Sequence, residues 1–325
     1  MNNPRRGFTL LEVLVATAIL SLMVVVLAGL ASQAGKIWGN VNAQGQRRST
    51  GRAMLQFIVR DLEMAAAQPP FPSSTNAANL QFIANVSTNA NNATCIPAGL
   101  LNPHAAFWQA PVGNNKTKGD IAEIGYFVRW DTNQPSVPRA TLCRFLVEPG
   151  NTNFVIYNSA SGTATNWLDP AILSAVAPAT KEMSYKGWFA ENVIALWIRC
   201  LDVNGNAITA NASGTAVNNG YGFDSRQGYR YTNSASLLIT QRPPALPAAV
   251  DVALVTVDPR TASKITPEIQ ASIQALCATA NAPANFWGGK SVPGSVAYFM
   301  DQLPTQIKPG TQVFTTRAYL KNASK

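Results

Sequence analysis

Three residues near the N-terminus, Gly7, Phe8 and Glu12, have the types and spacing to do chemistry. Glu12 is the only charged side chain between residues 8 and 31, a run otherwise built almost entirely of apolar and small residues. On insertion scales a carboxylate costs about 2.5 to 3.5 kcal/mol at a bilayer centre, and less near its edge. A compensating cation is therefore required. Hydrolysis of the Gly7–Phe8 peptide bond would create one, because the new α-amino group of Phe8 would stand one helical turn before Glu12. The positive end of the helix dipole favours the anion at the same place. The chemistry these residues offer is proteolytic processing followed by charge pairing, with no catalytic role for any of them.

The element that must position them is the apolar run itself. Residues 8–31 number 24, and at about 1.5 Å per residue they form a helix roughly 36 Å long, enough to cross a hydrocarbon core of about 30 Å. Arg5 and Arg6 precede the run and no acidic residue does. The positive-inside tendency then keeps the N-terminus cytoplasmic and places the remaining chain outside, as a single-pass protein of the cytoplasmic (inner) membrane. Two other readings stand beside this one. Gly29-Leu30-Ala31 offers the small residues that a secretory signal peptidase reads, although the run exceeds the 7 to 15 apolar residues of such peptides. The run could also be a plain uncleaved anchor for an extracytoplasmic binding domain.

The sequence GFTLLEVLVATAIL after two arginines resembles the N-terminal signature of type IV prepilins and pseudopilins. The resemblance implies that a membrane prepilin peptidase cuts after Gly7, that Phe8 is the methylated first residue of the mature chain, and that Glu12 helps dock the subunit against a neighbour in a filament. It further implies partners: the peptidase, other pilins or pseudopilins, the lipid bilayer, and a membrane assembly platform with a separate ATPase.

Composition bounds the rest. With 325 residues, 47% hydrophobic and 13% charged, the chain is globular, with ample length for a substantial core beyond one helix. The net charge of +9 includes Arg5 and Arg6 and is otherwise spread over residues such as Arg47, Arg48, Arg52, Lys116, Lys118, Arg139, Arg144, Arg317 and Lys321. That dispersion describes a solvated surface, and nucleic acid is not expected as a partner. Cys95, Cys143, Cys200 and Cys277 form no CxxC pair, and His104 is the single histidine, which argues against a zinc site. Disulfides or isolated buried thiols both remain open. The chain has no HExxH, GxxxxGK[ST], GxSxG or dinucleotide fingerprint, so neither an enzyme nor a cofactor is expected. Residues 202–206 superficially resemble a calcium loop, but Gly205 comes too early, at the fourth position instead of the sixth, and Ser213 stands where glutamate is needed. A hairpin turn is the better reading. Seven tryptophans show no repeat spacing and are read as core rather than as a carbohydrate platform.

Residues 32–68 contain no proline, and Met54, Leu55, Ile58, Leu62 and Ala65 recur at helical spacing, with Arg52, Arg60, Asp61 and Glu63 assigned to other directions. One long helix should continue to Pro69-Pro70. Its glycines at 29, 35, 39, 45 and 51 each weaken it by about 1 kcal/mol relative to alanine, making residues 29–51 the expected place for bending or melting. Beyond it, strands are expected at 121–129, 141–147, 153–157, 193–202, 250–257 and 313–320, with Asn204-Gly205 forming a type I′ turn. Thr266-Pro267-Glu268 should open a helix that buries Ile269, Ile273 and Leu276. The expected fold class is α+β and pilin-like: a long N-terminal transmembrane helix packed on a mainly antiparallel sheet. The expected organisation is leader 1–7, membrane and filament-core helix 8–31, helix continuation 32–68, and a β-rich extracytoplasmic domain 69–325.

The chain is longer than a typical major pilin, and no proline lies between residues 8 and 68, which suggests a minor subunit. The run from Gly51 to Glu63, the strand at 193–202, and Leu246-Pro247-Ala248-Ala249-Val250 resemble the larger minor pseudopilins, the J class of type II secretion and its W-like pilus counterparts. Gly125-Tyr126-Phe127-Val128-Arg129-Trp130-Asp131 also resembles a segment of the pilin-like group called Verru_Chthon cassette protein C.

Overall fold

The computed structural model describes residues 10–66, 80–85, 104–111, 119–131, 138–149, 186–217, 222–279 and 286–323. Gly7, Phe8, the proposed strand at 153–157, the stop at Pro69-Pro70 and Pro72, and Cys95 lie outside these residues. The chain divides into two units, Met1–Thr50 and Gly51–Lys325.

Helix α1 (Leu10–Glu63) begins in the first unit. It runs without interruption through all five glycines, so the expected melting between 29 and 51 is not observed. Each backbone group inside a helix already has its i→i−4 partner, and isolated glycines lower helix stability without removing that ladder.

In the second unit the last turns of α1 bury Met54, Leu55, Ile58 and Leu62, with Ala65 beyond them. Asp61 corrects the sequence assignment: it is 3% exposed. It follows Ile58 by three residues and Met54 by seven, spacings that place it on their face of the helix.

The sheet domain contains β1 (Ile83–Ala84), β2 (Ala105–Ala110), β3 (Ala122–Asp131), β4 (Arg139–Val147), β5 (Lys186–Glu191), β6 (Val193–Leu201), β7 (Phe223–Asp224), β8 (Tyr229–Thr232), β9 (Leu238–Gln241), β10 (Ala249–Val257) and β11 (Thr311–Tyr319). A single sheet was expected. The strands instead form a six-stranded sheet ordered β5-β4-β3-β2-β1-β7, a three-stranded sheet ordered β11-β10-β6, and the two-stranded ribbon β8-β9. All pairings are antiparallel.

Strand β6 packs across β1, β2, β3 and β4, so the smaller sheet lies on the face of the larger one that carries Trp108 and Tyr126. Helices α2 (Pro259–Ala262), α3 (Pro267–Thr279) and α4 (Val296–Gln302) follow β10. Trp197 of β6 meets Phe299 of α4 edge-on at 4.7 Å, which puts helical cover on the second face of the small sheet. With both faces covered, every residue of β6 and of β10 is buried. Helix α3 is capped as expected, Thr266 Oγ1 accepting from Ile269 N at 3.4 Å, and it buries Ile273 and Cys277.

The turn after β6 is not type I′. Gly205 N donates to Asp202 O at 3.0 Å, so Val203 and Asn204 occupy the central positions. Only Gly205, at φ +81°, takes a left-handed conformation. The Asp202 carboxylate decides this geometry by accepting from Asn204 N at 2.8 Å and Asn206 N at 2.9 Å.

Cys143, Cys200 and Cys277 are free, buried thiols. Trp108 and Trp197 are core residues as expected, whereas Trp38 and Trp287 are 76% and 51% exposed.

Candidate functional site

The N-terminal site is organised by α1. Glu12 falls in its first turn, where the unsatisfied backbone N–H groups of a helix start favour a negative charge. The following span, Leu10–Gly35, has a mean hydropathy of 2.8 and is 0% buried within the molecule. Two of its hydroxyls return to the helix backbone: Thr17 Oγ1 donates to Leu14 O at 3.0 Å and Ser21 Oγ to Ala18 O at 2.9 Å. Those bonds make the span acceptable to hydrocarbon, which offers no other acceptor. It ends four residues after the sequence-based boundary at 31, and residues 8 and 9 lie outside the described residues.

The helix end is locked to the sheet by a buried polar cluster that sequence reasoning missed. Asp61 Oδ2 accepts from Tyr126 Oη at 2.6 Å and from Arg144 Nε at 2.9 Å. Asp61 O accepts from Trp108 Nε1 at 3.1 Å. Burial and the neighbouring Asp61 charge push the Tyr126 phenol far above its ordinary range, so it stays a donor. The Arg144 guanidinium lies 5.2 Å from the centre of the Phe57 ring, so α1 is held through both Asp61 and Phe57. Glu63 adds an ion pair to Lys321 at 2.9 Å.

One rung of the smaller sheet carries a second cluster. Arg199, Asp251 and Arg317 stand opposite one another on β6, β10 and β11. Asp251 accepts from Arg199 Nη2 at 2.6 Å, Arg317 Nε at 2.7 Å and Trp287 Nε1 at 3.1 Å. Burial alone would raise the Asp251 carboxyl, but these hydrogen bonds outweigh it and hold the group below its ordinary range. The arrangement joins three strands to the turn that carries Trp287, between α3 and α4. Among the described residues no three His, Cys, Asp or Glu side chains come together as metal ligands.

Residues 2–28 match the family model of the prokaryotic N-terminal methylation motif. The chain thus carries a prepilin-type N-terminus and is pilin-like, and pilin-like proteins are typically structural rather than enzymatic. The motif implies processing by a prepilin peptidase, and the apolar helix is consistent with a single-pass membrane anchor. Comparisons with curated proteins and with solved structures give no match.

Proposed function

We propose that this chain is a minor pilin or pseudopilin, a structural subunit of a type II secretion or type IV pilus-like filament. The match of residues 2–28 to the methylation motif carries the reading, and the unburied apolar helix that begins within it and runs on past it supports it. In this proposal the peptidase cuts after Gly7 and methylates Phe8. The subunit waits in the cytoplasmic membrane with residues 32–325 outside. It enters the filament when its apolar helix exchanges lipid for neighbouring helices. Glu12 sets the register by pairing with the N-terminal amine of an adjacent subunit. A separate ATPase at the assembly platform drives extraction, and the extended C-terminal region supports assignment to the J-class or W-like minor subunits, or to the Verru_Chthon cassette protein C group.

Mass spectrometry of the mature N-terminus tests this directly. N-methylated Phe8 is the expected first residue. Met1 would leave a membrane-anchored binding domain without a filament role, and Ser32 would indicate ordinary secretion. Glu12→Ala should still be cleaved but should co-purify poorly with the other subunits; normal co-purification would refute the role given to that carboxylate.

A further inference from the structure

The two edges of the three-stranded sheet are treated differently. At the β6 edge the backbone is closed by other parts of the chain. His104 N donates to Leu196 O at 3.1 Å, Ile198 N donates to His104 Nδ1 at 2.7 Å, Asn85 Nδ2 donates to Ile198 O at 2.9 Å, and Ile208 N donates to Cys200 O at 3.1 Å. Among the described residues the β11 edge has no such cover. Its register with β10 is bracketed by Leu320 N to Ala248 O and Asp258 N to Gly310 O, so the even-numbered residues of β11 bond to β10. The odd-numbered residues, Val313, Thr315 and Arg317, turn their N–H and C=O groups outward. Among the described residues no main-chain bond reaches them.

This edge borders a groove of about 360 Å³ between β11 and the end of α1, lined by Arg52, Gln56, Arg60 and Glu63 with Thr315 and Thr316. Arg52 and Arg60 are exposed and make no ion pair or hydrogen bond among the described residues. Glu63 is already paired with Lys321. The groove therefore combines an open strand edge with two uncommitted guanidinium groups along one wall.

We propose that this groove binds an extended, acidic segment of another polypeptide, which adds to β11 as an antiparallel strand while its carboxylates meet Arg52 and Arg60. Strand addition supplies main-chain bonds, and the arginines select by charge. The chain's own net charge of +9 disfavours a second copy as the occupant. The outward carbonyls, which repel phosphate, disfavour nucleic acid. The inference stands independently of the filament reading, because it uses only residues of the second unit.

Fluorescence anisotropy on the full chain in detergent tests it, with a labelled peptide of alternating valine and glutamate as the probe. Saturable binding is expected, weakened about tenfold by Arg52→Gln with Arg60→Gln and by high salt. Thr315→Pro should abolish binding while leaving the thermal midpoint within a few degrees, since it removes only an outward N–H from an edge strand. Should that variant fail to fold, methylating alternate peptide amides must abolish binding to the unaltered chain instead. The proposal is overturned by no saturable binding at about 1 mM peptide, by equal binding of a valine–lysine peptide, by binding that survives both backbone changes, or by tighter binding of a short DNA duplex.

Discussion

His104 makes the folded domain acid-sensitive in a way that can be calculated. The imidazole is 2% exposed, and its Nδ1 accepts from Ile198 N at 2.7 Å, which fixes the proton on Nε2. Burial is the dominant effect and holds its pKa down at about 3, against 6.5 for the free side chain. The unfolded chain therefore binds this proton as pH falls through 6.5, while the folded chain refuses it until about 3. Stability contributed by the neutral ring is fully present above pH 6.5 and is lost on acidification. Each pH unit in that window removes about 1.4 kcal/mol, so lowering pH from 7.5 to 4.5 should cost roughly 2 to 3 kcal/mol from this residue alone. Set against the 5 to 15 kcal/mol typical of a domain, a loss of that order is a substantial share. Urea titrations at several pH values should show a falling midpoint at constant m. His104→Asn supplies a neutral acceptor for Ile198 N and should lose this part of the slope, while carboxylate effects, common to both proteins, cancel. Equal slopes between pH 6.5 and 4.5 would refute the reasoning, and because the chain has one histidine, no other imidazole could account for a difference.

Asp61→Ala should cost about 2 to 4 kcal/mol in denaturant titrations, below the full penalty for breaking a buried pair because the Arg144 side chain keeps 18% exposure. Gly125 faces Phe107 across the β2–β3 pair, and a Cβ there would overlap the ring. Gly125→Ala should therefore lower the thermal midpoint by several degrees, whereas Gly289→Ala, with open space around it, should leave it nearly unchanged. Burial pushes the Cys143 and Cys277 thiols up to about 12 and raises Cys200 further. In a Cys95→Ser background none of the three should react with a disulfide reagent at pH 8 until denaturant is added; prompt native reactivity would contradict the packing described.

What the sequence made legible was whatever repeats over a long enough stretch. The helix face at Met54, Leu55, Ile58 and Leu62 was clear because proline is absent and the apolar period holds. The strands now defined as β3, β4, β6, β10 and β11 were found within a few residues of their ends. Strand β2 was missed because all six of its residues are buried, which removes the alternation that marks a half-covered strand. The two-residue strands β1 and β7 are too short to carry any period. Asp61 was misplaced because its charge was allowed to outweigh its spacing, and the partners that make its burial tolerable lie 65 and 83 residues away. At the N-terminus the position was reversed. The roles proposed for Gly7, Phe8 and Glu12 rest on adjacent residues and on the transfer cost of one carboxylate, an argument that makes no use of tertiary packing.

The close approach of Gly51 to the Phe314 ring marks where α1 becomes part of the core. From that glycine onward the helix is a wall of the sheet domain, so shedding of the outer portion by a protease could leave a folded fragment only if the cut fell upstream of residue 51. A cut made at the helix end, after Glu63, would strip Met54, Leu55, Ile58, Asp61 and Leu62 from their seats and expose Trp108 and Tyr126 to water. The released piece would be a sticky, collapsing remnant rather than a free, folded domain.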